Sequence, residues 1–494
     1  MQIMKCDDVE TRRQLQAELK VAVRVRLHLC FCPLRLRVPA FHKYEGPVAA
    51  TRLRFSLPRG FDFRHRNPYS RTSMKIRAFL PLIALSLSAT AADWPQYRGP
   101  NGDGSTPESL PATWPSTPKV LWKVPAGTGF GSFTVSGAWC FAIEGNGGNE
   151  VLVARDAATG KDKWTANLGP AKYDGGGDAG TPDNKGGDGP RSTPTLAGKI
   201  IVAMHSDLVL HAFDAVTGKP LWKRDLIKEN AGRNIRWENA ASPLFENGVL
   251  YVGGGGAGQT FLALNPATGA VLAKSGDETI THATPIATTI LGTRQIIFYM
   301  QDGLTSLDPK TLKQLWHADF KYSTSTAASP VVAGDYVYAS AGYGVGAVGF
   351  KISKAGSEWK AEQIMRVPQK PLANHWSTPV HFDGHLYGMF QFKEYGKGPV
   401  KCVKLPDGDI KWEQPGFGPG NVILTAGGNI LALTDAGELV AFKASPDAYK
   451  ELGRFKAISG KCWTTPVMSN GRVFVRSTKE AACIQLGAPV TAAK

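Results

Sequence analysis

Asp214-Ala-Val-Thr-Gly-Lys-Pro-Leu-Trp222 returns almost unchanged as Asp156-Ala-Ala-Thr-Gly-Lys-Asp-Lys-Trp164, and again as Asp308-Pro-Lys-Thr-Leu-Lys-Gln-Leu-Trp316. Looser copies stand at 404–412, 265–272 and 351–359. Copies set roughly 40–60 residues apart mark an array of like supersecondary units, each burying its apolar face against its neighbours. A second phrase keeps the same beat. A hydroxyl residue precedes proline at Thr193-Pro194, Ser242-Pro243, Thr284-Pro285, Ser329-Pro330, Thr378-Pro379 and Thr465-Pro466, with degenerate versions at Ser132-Phe133-Thr134 and near Leu424-Thr425. Each is followed by a turn and an apolar strand pattern, at 139–142, 200–204, 249–252, 296–299, 336–339, 386–389, 430–433 and 473–475.

A third strand leads into the Asp-x-x-Thr-Gly-Lys turn, where glycine accepts the positive φ of a tight hairpin. A fourth strand ends at the tryptophan. Four antiparallel strands in each of eight units predict an all-β chain, an eight-bladed β-propeller. Trp122, Trp164, Trp222, Trp316, Trp359 and Trp412 recur once per unit, so they are expected to pack between adjacent blades rather than to form a cofactor box. The last unit lacks a fourth strand, and residues 119–123 supply a spare one. Their pairing would complete the eighth blade from both chain ends and remove exposed edges. The propeller is assigned to residues 119–487, and the Pro/Gly-rich segment 92–118 is expected to wrap the outside as a coil.

The net charge of +16 is unevenly placed. Residues 1–73 hold fifteen Lys/Arg against six Asp/Glu, an excess of nine; Lys75 and Arg77 add two, leaving five for the rest. A nearly balanced propeller needs no polyanion, so nucleic acid is not an expected partner. The stretch from Met74 resembles an export signal. Lys75 and Arg77 precede a short apolar run, and Ala89-Thr90-Ala91 is a small-residue cleavage pattern. The run is short for a membrane span. These features predict a disordered basic leader over 1–73, upstream of a true start at Met74, a signal peptide over 74–91, a disordered tail over 488–494, and a monomeric periplasmic or secreted protein. Cys140, Cys402, Cys462 and Cys483 show no C-x-x-C spacing, which argues against a zinc knuckle or covalent haem. Disulfide pairing and buried free thiols both remain open for them.

The Asp-x-x-Thr-Gly-Lys-x-x-Trp phrase resembles the repeat of the pyrroloquinoline quinone (PQQ) propellers, which include the quinoprotein alcohol dehydrogenases and the non-enzymatic assembly factor BamB. The resemblance covers about 93–487. The opening Asp93-Trp-Pro-Gln-Tyr-Arg-Gly-Pro-Asn-Gly102, with Asn374-His-Trp-Ser-Thr-Pro379 and Lys461-Cys-Trp-Thr-Thr-Pro466, is similar to PQQ-like repeat proteins as well. It implies the propeller fold firmly, whereas one fold hosts catalysts and scaffolds alike.

In such a propeller the residues just before each innermost strand face one mouth of the channel. Those residues are Phe130, Arg191, Trp237, Glu238, Asn239, His282, His375, Trp376, Asn421, Lys461, Cys462 and Trp463. Aromatic, cationic and amide groups together suit a planar or anionic ligand, and equally suit a plug of the channel. Loops 144–148, 253–258, 343–346 and 393–397 are placed on the same rim. The insertion 174–188 carries Asp174, Asp178, Asp183, Asn184 and Asp188; it lacks the ordered spacing of a calcium loop and reads as a solvated segment. Gly253-Gly-Gly-Gly-Ala-Gly-Gln-Thr260 has Gln259 where a phosphate loop needs lysine, and is set aside.

The dehydrogenase resemblance would imply bound PQQ and calcium, the metal held by Glu, Asn and Asp, with an aspartate as base. Glu238, Asn239 and Arg191 are residues of suitable type. The adjacent-cysteine pair of that family is absent, as are its long insertions, and no catalytic residue is assigned. The resemblance therefore favours an exported binding or assembly propeller, with envelope proteins or a small ligand as partner, over the dehydrogenase.

Overall fold

Residues 93–171, 189–322, 326–390, 394 and 396–486 are described by the computed structural model. The leader, the signal-like segment, the insertion 174–188, the tail and part of the 393–397 loop lie outside them. Four-stranded antiparallel blades span 134–170, 195–225, 244–275, 286–319, 331–367, 380–414 and 421–456. The eighth spans 467–485 and takes its outer strand, Lys119–Pro125, from the other end of the chain. Lys119 pairs with Gln485 and Val124 with Ala481, antiparallel, so the ring closes as the spare strand predicts. Among the described residues the single helix is the four-residue turn Leu226–Glu229, and no helix is long and apolar enough to cross a membrane.

The tryptophan phrase works as a dock. A Cβ added to Gly218 would lie 2.6 Å from the Trp164 ring, and one on Gly269 would lie 2.7 Å from Trp222. Gly160 stands in the same relation to Trp122, which carries the contact across the ring closure. The indole Nε1 then donates to the next blade: Trp122 to Ala157 O (3.0 Å), Trp164 to Ala215 O (3.2 Å), Trp222 to Pro266 O (2.8 Å) and Trp412 to Ser445 O (2.8 Å). Glycine is required because its φ is +70° at position 218 and because the ring occupies the space of a side chain. Trp316 departs from the pattern, since its Nε1 donates to Gln295 of its own blade (2.8 Å). Trp359 stands at the end of a longer hairpin under the Lys354 ammonium. The blade after Trp316 carries no Asp-x-x-Thr-Gly-Lys turn to receive it.

This docking sets an expected difference between two glycines. Gly198→Ala, at φ +65° with open space around the new Cβ, should cost about 1–2 kcal/mol of backbone strain. Gly218→Ala should cost about 1–3 kcal/mol more, because the Trp164 ring must also move. Paired urea unfolding curves check this; equal losses would remove the docking role.

The hydroxyl–proline phrase links blades at the axis. Ser132 N donates to Thr193 Oγ1, Thr193 N to Ser242 Oγ and Ser242 N to Thr284 Oγ1, each at 2.9 Å. Ser329 N donates to Thr378 Oγ1 (3.0 Å), and Thr465 N to Ser132 Oγ (2.8 Å), the last across the closure. Innermost strands cannot pair sideways with a sheet partner, and these hydroxyls satisfy amides that would otherwise be buried without an acceptor.

The expectation for the segment before the first blade is corrected. Residues 93–110 run across one end of the channel instead of around the outside. Trp94 pairs with Val135, Leu196 N donates to Pro95 O, and Phe245 N donates to Gln96 Oε1. Ser105–Ser109 then forms a parallel strand on Asn421–Ala426. Asn470 N and Gly471 N donate to the two oxygens of Glu108, both at 2.7 Å. Only afterwards does the chain reach the outer strand of the seventh blade, where Trp114 covers Gly453. Small residues and prolines permit this passage, but backbone and side-chain hydrogen bonds to the innermost strands hold it. Cys140, Cys402, Cys462 and Cys483 are buried free thiols. Burial pushes Cys402 up to about 11 and Cys462 and Cys483 up to about 12, so they behave as small apolar residues.

Candidate channel-mouth site

The turns before the innermost strands gather at the mouth opposite the 93–110 segment, and their rings form one chain. Phe130 stacks on Trp463 (centroids 4.6 Å, 25°), and Trp463 on Trp376 (4.4 Å, 29°). Trp376 meets His375 edge-on at 5.2 Å, and His375 meets Tyr343 at 4.9 Å. Tyr343 stacks with Trp237 at 5.7 Å, and Trp237 lies 6.3 Å from His282. Offset and edge contacts of this kind are the favoured geometries of aromatic pairs. Five residues expected at the mouth, Trp237, His282, His375, Trp376 and Trp463, are thus brought together with Phe130. Tyr343 is the link that residue type alone did not single out.

Cations border the rings. Arg191 Nη1 donates to Trp237 O (2.6 Å), the Arg236 guanidinium stands 4.8 Å from the Trp237 ring, and the Lys461 ammonium 4.9 Å from that of Trp463. Asn421 Nδ2 donates to Trp463 O (2.7 Å), and Trp376 Nε1 to Pro419 O (2.8 Å). Trp237, Glu238 and Tyr343 have φ of +70°, +55° and +56°. Left-handed backbone at a bulky residue is unfavourable and persists where the surroundings impose it, often at functional surfaces. Asn239 also shapes its own turn: its Nδ2 donates to Ala241 O and its Oδ1 accepts from Ala241 N (3.0 and 3.1 Å), one bond for each atom. Glu144, expected on the rim loop, lies instead in strand Trp139–Asn146, buried against Arg155.

Burial, with Arg191 and His375 close by, pushes His282 down to about 3. The folded protein therefore holds this imidazole neutral where the unfolded chain, near 6.5, takes up a proton. Stability falls as pH drops below about 6.5 and levels off near 3. His282→Asn should flatten the acid limb of a plot of urea midpoint against pH; an unchanged limb would remove His282 as a contributor.

Among the described residues no three His, Cys, Asp or Glu cluster as a metal site. Trp463 is already engaged by two stacked rings, Phe130 and Trp376.

Residues 147–377 match the family model described as outer membrane protein assembly factor BamB. No curated protein sequence matches the chain. Similar solved structures include two quinohemoprotein alcohol dehydrogenases and a BamB. Quinohemoprotein alcohol dehydrogenase from Pseudomonas putida HK5 has a TM-score of 0.61 at 14% identity, over 81% of this chain and 81% of that one. BamB from Moraxella catarrhalis has 0.53 at 15%, over 76% and 99%. Quinohemoprotein alcohol dehydrogenase from Comamonas testosteroni has 0.54 at 13%, over 81% and 82%. At such identities the likeness speaks for the fold alone. With its repeat phrase and eight docked blades the chain is an eight-bladed β-propeller, and its segment 147–377 is similar to the BamB-type PQQ-like repeat family.

Proposed function

We propose that the chain is an exported binding or assembly propeller, monomeric, that uses the aromatic and cationic mouth to hold a small ligand or an envelope protein. The observation that carries this is the ring chain from Phe130 to His282, set on turns with left-handed backbone at Trp237, Glu238 and Tyr343. Rings bordered by Arg191, Arg236 and Lys461 favour partners that offer apolar area and negative charge. Export rests on the signal-like segment from Met74. PQQ with calcium is the competing occupant, supported by fold likeness alone.

The test uses the full chain. It is mixed with PQQ and Ca²⁺ and assayed for quinone absorbance and dye-linked alcohol oxidation. In parallel, it is recovered from envelope extracts beside a Trp237→Ala, Tyr343→Ala variant. Binding reads as envelope proteins held by the wild type and lost by the variant, without turnover. Alcohol oxidation dependent on PQQ would overturn the proposal in favour of the dehydrogenase, and recovery of the wild type alone would overturn the assembly role.

A further inference from the structure

The segment that closes the far end of the channel does not fill it. Residues 93–110 bond to the innermost strands of the first, second, third, sixth, seventh and eighth blades. Beside the fourth and fifth blades a cavity of about 350 Å³ remains. That volume is within the range, roughly 300–1,000 Å³, in which proteins bury small ligands. Ile286, Val331 and Val380 give it an apolar side, Thr288 and the half-buried His381 add polar edges, and Arg98 closes its inner wall.

Arg98 is only 2% exposed. Its guanidinium donates to Thr378 O (2.9 Å), Pro379 O (2.9 Å) and Asp103 O (2.7 Å), all neutral carbonyls. The nearby Asp103 carboxylate is occupied by Ser105 N (2.8 Å) and Ser105 Oγ (2.7 Å). Arg294, also on the wall, is already matched by Glu246 at 2.9 Å. Among the described residues the buried charge of Arg98 meets carbonyl dipoles and the nearby Asp103 charge but bonds to no carboxylate, and a charge so placed gains most from an anion brought beside it out of water. Burial also lowers the Arg98 pKa, consistent with incomplete compensation.

We infer that this cavity is a second binding site, separate from the mouth, for a small free carboxylate with a short apolar body. The carboxylate would lie toward Arg98 and the body against Ile286, Val331 and Val380. The segment 93–110 would then be one wall of a ligand site as well as a closure.

Calorimetric titration of the full chain tests this with three probes: hexanoate, which has charge and body; hexanol, which has body alone; and inorganic phosphate, which has charge alone. Hexanoate should bind at least about tenfold tighter than either control, as expected for one charge-assisted contact combined with apolar burial. It should also raise the thermal midpoint in a dose-dependent way. Thr288→Phe, on the same face of its strand as Ile286, fills the cavity without touching a bond of the 93–110 segment. Val332→Phe does so from the fifth blade, should Thr288→Phe fail to fold. Each folded variant should lose hexanoate binding at least about tenfold. No binding of hexanoate, equal binding of hexanol, or unchanged binding in the filled variants would overturn the inference. None of these results bears on the mouth, which is tested separately above.

Discussion

Arg476→Ala is expected to lower stability by about 3–5 kcal/mol, as for removal of a buried charged group from a hydrogen-bonded cluster. Arg476 is 0% exposed and stands in strand Arg472–Arg476 of the eighth blade. Its Nη1 donates to Gly131 O (2.9 Å) and Ile143 O (3.0 Å), and its Nη2 to Gly127 O (2.9 Å) and Thr128 O (3.2 Å). All four carbonyls belong to the first blade or its approach, so one side chain ties the last blade to the first. Truncation would remove this donor from all four, of which Thr128 O keeps a bond from Gly145 N (2.9 Å). Arg476→Lys should recover only part of the loss, because an ammonium cannot reproduce the planar fork.

The loss should depend on pH. Burial tends to raise the Glu144 pKa, but Arg476 and the ion pair with Arg155 at 2.7 Å outweigh it and hold Glu144 below its usual range. A depressed carboxylate adds stability above the unfolded value near 4.5, and that stability is lost as pH falls through the folded value. The variant should therefore show a shallower acid limb than the wild type. An unfolding free energy within about 0.5 kcal/mol of wild type at neutral pH would contradict the clasp, since that is the size of an ordinary surface effect.

Trp94→Ala should cost about 3–5 kcal/mol, the usual range for truncating a buried large aromatic. Trp94 is 0% exposed, and its backbone exchanges two hydrogen bonds with Val135, at 2.7 and 2.9 Å. Gly99, at φ +84°, turns the chain back onto the indole, where an added Cβ would lie 3.1 Å from the ring. The ring is thus the anchor from which residues 93–110 enter the channel. Without it that segment should open locally while the blades stay paired. Limited proteolysis with mass spectrometry should show new cuts within 93–118, and the β-sheet circular dichroism should persist. Cuts spread over the blades instead would show that Trp94 holds the ring and not the segment.

Much of the fold was legible because its bonds repeat. Asp214-x-x-Thr-Gly-Lys-x-x-Trp222 encodes the hairpin, where Asp214 Oδ1 accepts from Val216 N and Thr217 N (3.1 and 2.8 Å), and it encodes the dock of Trp164 on Gly218. A local hydrogen bond and a nearest-neighbour contact leave the same mark in every unit. The hydroxyl–proline phrase announced strand starts, but its bond from Ser132 to Thr193 crosses 61 positions and was not read from it. The mouth was legible only in part. The rule that residues before each first strand face the channel gathered Trp237, His375 and Trp463, and the strand order put loop 343–346 on the same rim, but neither showed that Tyr343 would bridge Trp237 and His375. Nor did the rule show that the Asn239 amide bonds across its own turn to Ala241.

By itself the sequence determined how many blades form, where their hairpins turn and which spare strand completes the ring, since each follows from periodic local pattern. Tertiary structure alone decided where residues 93–110 go and which cavity they leave. Arg98 reaches Thr378 across 280 positions, and Glu108 reaches Asn470 across 362. Such contacts occur once, between residues with no shared period, and a single long-range hydrogen bond leaves no pattern along the chain.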